Sequence, residues 1–138
     1  MGRLLSIDYG TKRCGIAVTD TLQIIANGLT TVRTHDLLSF LKDYVSREDV
    51  ECIVMGKPMQ TNGAPSETYQ KVMSVAKSLE KTFPNIPIKF YDERYTSVIA
   101  HQTMLEGGLR KKKRQDKALV DEISACIILQ DYMNSIQR

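Results

Sequence analysis

Three acids in this chain occupy positions that are awkward for an acid. Asp8 ends the apolar run Leu4-Leu5-Ser6-Ile7, and Glu93 ends the strand-like run 86–91. Asp121 falls on the apolar stripe of a helical segment with Ala125, Ile128, Leu129 and Tyr132. Burying a carboxylate is costly unless it is paired or binds a metal. Carboxylates gathered from two strand ends and a helix start repel one another, and a divalent cation relieves that repulsion. Hard oxygen donors suit Mg²⁺ or Mn²⁺. Two such ions about 4 Å apart activate a water and stabilise the leaving oxygen in phosphodiester hydrolysis. Plainer readings exist. Asp8 suits the opening of a turn, and Asp121 complements the positive end of a helix dipole. The dipole accounts for an acid near the helix start better than for its face, and Asp116 and Glu122 are nearby competitors. Linear spacing does not bring the three acids together, so the fold must.

The cations are concentrated as well. The segment 110–117 holds Arg110, Lys111, Lys112, Lys113, Arg114 and Lys117 against the single acid Asp116. Its local +5 exceeds the net +3 of the whole chain, which leaves −2 elsewhere. A localised basic segment is the footprint expected for a phosphate backbone, although such runs are also common as solvated loops.

The elements that must position these groups follow from the hydrophobic pattern. Two short β-branched runs flank Gly10-Thr11-Lys12-Arg13 and read as two strands joined by a tight turn. A third strand is expected around 28–33, after a break at Asn27-Gly28. A helix from about Asp36 to Ser46, with Asp36 as its cap, follows. The nearly uninterrupted apolar run 51–58 reads as a central strand covered on both faces. A helix from Pro65 to about Thr82, a strand over 86–91, a short helix from Thr96 to Gly107-Gly108, and a last helix from about Lys117 to Ser135 complete the order. An antiparallel opening followed by alternating α and β implies an α/β domain, a mixed sheet with helices on both faces. With 138 residues, 42% of them hydrophobic, and no change of composition regime, the chain is expected to form one domain over 1–138. No apolar run is long enough to span a membrane, and no signal peptide precedes the first strand. Cys14, Cys52 and Cys126 lack metal-ligand spacing and read as reduced core residues. These features point to the cytoplasm.

Four motifs carry a resemblance across nearly the whole chain: Ile7-Asp8-Tyr9-Gly10-Thr11-Lys12-Arg13-Cys14-Gly15-Ile16-Ala17, Ile53-Val54-Met55-Gly56-Lys57-Pro58, Asp92-Glu93-Arg94-Tyr95-Thr96-Ser97 and Asp121-Glu122-Ile123-Ser124-Ala125. In this order they resemble the YqgF family of ribonuclease H-like proteins, described both as pre-16S rRNA nucleases and as Holliday junction resolvases. The resemblance implies a ribonuclease H-like fold with Mg²⁺ or Mn²⁺ as cofactor, and it puts the catalytic, metal-holding acids at Asp8, Glu93 and Asp121. The chain departs from the family where Lys57 adds a cation in place of a frequent Leu, and where Ser97 and Ser124 replace Thr and Ala.

On this resemblance the remaining charged residues take supporting roles. The Gly10–Thr11 turn offers backbone N–H groups to a phosphate. Lys12, Arg13 and Lys57 contact the nucleic-acid backbone without reading its sequence. Arg94 contacts a phosphate, orients an acid or forms a structural ion pair. Arg110, Lys111, Lys112, Lys113 and Arg114 form a clamp beside the site. Tyr9, Tyr91 and Tyr95 are placed either to stack on bases or to pack in the core. The expected function is maturation of the 5′ end of pre-16S rRNA, with the ribosome or its assembly factors as partners and a monomer or weak homodimer as the acting form. Resolution of branched DNA is the alternative, and a non-catalytic nucleic-acid-binding module a further one. The Asp8-Tyr9-Gly10-Thr11 turn also resembles the phosphate-binding opening of the actin and Hsp70 type of ATPase, but those folds close a second domain over the nucleotide and this chain is too short for one.

Overall fold

The first strand, β1 (Arg3–Asp8), lies at the centre of the sheet. The computed structural model describes residues 2–57, 69–92 and 117–136. β2 (Arg13–Thr19) and β3 (Ala26–Arg33) continue β1 as an antiparallel meander. A 3₁₀ turn, Thr34–Asp36, leads into α1 (Leu37–Arg47). β4 (Val50–Lys57) then pairs parallel with β1, and β5 (Ile88–Asp92) pairs parallel with β4 after α2 (Tyr69–Thr82). The last helix, α3, spans Lys117–Ile136. The strand order is β3-β2-β1-β4-β5. This is the mixed α/β sheet expected from the order of elements.

Strand alternation divides the core into two layers. Leu5, Ile7, Ile16, Ile53 and Met55 face α1 and α2, where Leu37, Leu41, Val72, Ala76 and Leu79 cover them. Leu4, Ala17, Cys52 and Val54 face α3, which buries Ala125, Ile128, Leu129 and Met133. β4 is apolar from Cys52 to Met55 because it sits between two strands with helices on both faces. Each fully buried Ile or Leu contributes about 1.5–3 kcal/mol of transfer free energy.

Three boundaries differ from the pattern. β3 begins at Ala26, because Asn27 and Gly28 pair with Val18 and Ala17 and form no turn. The turn lies earlier, where the Asp20 carboxylate accepts backbone N–H bonds from Leu22, Ile24 and Ile25 at 3.2, 2.8 and 3.0 Å. Those bonds favour the charged form and hold the Asp20 carboxyl below its usual range. Gln23, at φ 57°, completes the reversal. α1 starts at Leu37, and Asp36 makes no side-chain capping bond; its carboxylate lies 3.4 Å from His35 Nε2. β5 starts at Ile88 because the Ile86 N–H turns back to Phe83 O. The expected Pro65 helix start, the short helix over 96–108 and the basic segment 110–114 lie outside the described residues. Among the described residues no helix is long and apolar enough to cross a membrane.

Candidate active site

The parallel strands β1, β4 and β5 end at one edge of the sheet, with Ile7 level with Met55 and Met55 level with Phe90. In open α/β sheets the carboxyl ends of parallel strands form the usual ligand crevice. Asp8 is the last residue of β1 and is half-buried. It follows Leu4 and Ser6 on the face that α3 covers, so its register directs it toward that helix.

The approach of α3 to this edge depends on small residues. Gly15 is the Cα partner of Asp8. A Cβ on Gly15 would overlap the carbonyl of Asp121 and lie 2.9 Å from the backbone nitrogen of Glu122. The helix backbone therefore rests on Gly15 where Gly15 faces Asp8. One turn further along, the buried Ser6 hydroxyl donates to Ala125 O at 2.6 Å and ties α3 to β1. The Asp121 backbone thus lies against the strand pair that ends in Asp8. Asp121 lies in the second turn of α3, beyond the first turn in which a helix dipole acts strongly.

Arg13, the first residue of β2, donates from Nε to Asp121 Oδ2 at 3.1 Å, across 108 positions of sequence. Both side chains are about one-third exposed, 34% and 27%, so the pair orients Asp121 more than it stabilises the fold. The turn between β1 and β2 is held from β3's end by Thr34. Its hydroxyl donates to Gly10 O at 2.6 Å, and its N–H donates to Lys12 O at 3.1 Å. Cys14 lies beneath the turn with its Sγ 3.6 Å from Thr34 Oγ1. Burial pushes the Cys14 thiol up, and the nearby Asp8 and Asp121 charges push it further.

Of the expected site residues, the structure brings Asp8, Gly10, Thr11, Lys12, Arg13 and Asp121 to one end of the sheet. The backbone of Lys57 reaches the same edge, paired with Asp92. Glu93, Arg94 and residues 110–114 lie outside the described residues, as does Tyr95. Tyr9 and Tyr91 pack against the two core layers, in line with a structural role. Two hard-oxygen donors on one face suit a divalent cation. Among the described residues no group of three His, Cys, Asp or Glu is gathered at one point; the third acid of the expected set, Glu93, is not one of them. Sequence reasoning missed Thr34, Ser6 and Gly15. Their roles depend on neighbours distant in sequence, and nothing local marks them.

The architecture is shared with known proteins. A structure of Thermus thermophilus RuvC in complex with Holliday junction substrate superposes with TM-score 0.60, covering 99% of this chain and 96% of that one at 16% identity. At that identity the likeness shows the fold, which is the ribonuclease H-like one expected. The family model RuvX, described as Holliday junction resolvase, matches residues 2–135. The chain belongs to the RuvX family. This is the YqgF family that the four motifs resemble. RuvX relatives from Bacteroides thetaiotaomicron and Phocaeicola vulgatus are 59% and 60% identical over 135 residues. Each alignment covers 98% of this chain, and 98% and 97% of the relatives. A relative from Porphyromonas gingivalis is 56% identical over 138 residues, the full length of both chains. All three carry the name "Putative pre-16S rRNA nuclease".

Proposed function

We propose that this RuvX-family chain is a nuclease that hydrolyses phosphodiester bonds during maturation of the 5′ end of pre-16S rRNA, acting in the cytoplasm on precursor ribosomal particles. The relatives' shared name supports the substrate. The observation that carries the chemistry is the seating of α3 on Gly15, which draws the Asp121 backbone against the strand pair that ends in Asp8. Asp8, Asp121 and Glu93 are the residues to hold Mg²⁺ or Mn²⁺, which when bound supplies activation of water and charge for the leaving oxygen. Arg13 orients the Asp121 carboxylate through its Nε bond. The Gly10–Arg13 turn, clamped by Thr34, presents Lys12 and backbone N–H groups to the phosphate beside the scissile bond. Lys57, Arg94 and residues 110–114 add further backbone contacts.

Branched DNA is the second reading, favoured by the family description and by the fold shared with RuvC. Cutting a four-way junction symmetrically requires two sites, hence a two-fold dimer. The test sets a precursor rRNA fragment beside a four-way DNA junction, each with Mn²⁺ and with Asp8→Asn as control. Cleavage of the RNA by wild type and not by Asp8→Asn is the expected result. Junction cleavage alone would replace the RNA substrate with DNA and predict a dimer by ultracentrifugation. Cleavage by Asp8→Asn at the wild-type rate would remove Asp8 from the site.

A further inference from the structure

Arg13, the partner of Asp121, also lines a groove of about 500 Å³ with Thr11, Lys12, Thr31, Val32, Arg33 and His35. It lies over β2 and β3, and β3 is the outermost strand of the sheet among the described residues. Arg13 and Arg33 are Cα partners in the antiparallel pair. Like charges directly opposite one another destabilise a strand pair. Arg13 is compensated by Asp121 through its Nε. Arg33 is exposed and makes no ion pair among the described residues. The acid nearest along the chain, Asp36, lies against His35. The groove therefore has a cationic lining formed by Lys12 and Arg33, neither of them in an ion pair among the described residues, together with the hydroxyl-bearing Thr11 and Thr31. Its inner end is Arg13, whose Nη groups lie beyond the Nε bond to Asp121.

We infer that this groove is a phosphate track. Arg33, with Lys12 and the side chains of Thr31 and His35, binds the sugar–phosphate backbone of the substrate one or more nucleotides away from the scissile bond, and Arg13 links the track to the carboxylates. The inference rests on the nuclease reading above. A phosphodiester chain fits better than an isolated anion because the groove is open and its cations come from three places, the β1–β2 turn (Lys12), β2 (Arg13) and β3 (Arg33). A contact of this kind positions the substrate and carries no sequence preference.

The test is binding of a fluorescently labelled single-stranded RNA in EDTA, so that no cleavage intervenes, titrated at several salt concentrations. Each phosphate contact contributes about 0.7 to the slope of log K against log salt for single strands. Arg33→Ala is expected to lower the slope by about that amount and to weaken binding several-fold at low salt. Arg33→Lys restores the slope, because the charge returns. Arg33 is on an exposed edge, and circular dichroism of both variants checks that the fold is kept. An Arg33→Ala slope equal to that of wild type overturns the track and leaves the nuclease reading standing. Absence of salt-dependent binding by the wild-type chain, to this RNA and to duplex DNA, overturns both.

Discussion

Replacing Gly15 with alanine places a methyl group where α3 now rests. The added Cβ would overlap the Asp121 carbonyl and come within 2.9 Å of Glu122 N. Both are backbone atoms, so no rotamer change can relieve the clash. Either β2 or α3 must shift. α3 is anchored by the buried Ile128, Leu129 and Met133 and by the Ser6 bond to Ala125, so displacing it strains a packed layer. Overpacking of this kind costs about 1–3 kcal/mol. For a chain of this size that corresponds to a fall of about 3–12 °C in thermal midpoint. Misplacement of a catalytic group by about 1 Å costs on the order of 100-fold in rate, so cleavage should fall far more than stability. Gly28→Ala is the internal control. It lies under the same helix, but its added Cβ meets Glu122 Cβ at 3.6 Å, an ordinary contact. It should be neutral or stabilising by up to about 1 kcal/mol, since alanine loses less entropy than glycine in a strand. Thermal unfolding by circular dichroism and a cleavage assay read both effects. If Gly15→Ala melts with wild type and cuts at the wild-type rate, α3 is not seated on Gly15 and the convergence of Asp8 with Asp121 fails with it.

Ser6 and Ser124 should respond in opposite senses to truncation. Ser6→Ala removes a buried bond and lowers stability by about 1 kcal/mol, whereas Ser124 Oγ is buried with no hydrogen-bond partner among the described residues and Ser124→Ala should raise it by a similar amount. Thermal midpoints that move together would contradict this. Thr34→Val keeps the N–H bond to Lys12 O but loses the hydroxyl bond to Gly10 O. It should cost about 1 kcal/mol and weaken RNA binding, with Thr34→Ser restoring both; equal behaviour of Val and Ser variants would show that the turn needs no clamp. Replacing Arg110, Lys111, Lys112, Lys113 and Arg114 with alanine should flatten the salt dependence of binding, and an unchanged slope would place that segment away from the substrate.

Much of the architecture was legible because each element repeats its own period. The stripe Leu37, Leu41 and Tyr44 on α1, and Val72, Ala76 and Leu79 on α2, are the buried residues that helical spacing predicts. β4 was readable as a doubly covered strand from its unbroken apolar run. Turn chemistry was less reliable. Asn27-Gly28 resembles a turn, yet it is paired strand, because a register shift between Ile16 and Ala17 accommodates it and Asp20 builds the reversal upstream. Asp36 resembles a cap, yet it lies beside His35. Both misreadings have the same cause. Asn, Asp and Gly permit turns and caps without compelling them, and the neighbouring strand or side chain decides.

The sequence by itself determined which residues are able to do the chemistry: acids in apolar settings, a cationic turn after a strand, a basic run, and the order of elements that makes a mixed sheet. Those follow from local periodicity and from the cost of burying charge. Only the tertiary structure decided that Asp121 meets the end of β1, that Arg13 serves Asp121, and that Arg33 stands beside Arg13. These pairings join residues far apart in the chain. They depend on strand register and on Gly15, where the absence of a side chain lets a helix backbone touch the sheet.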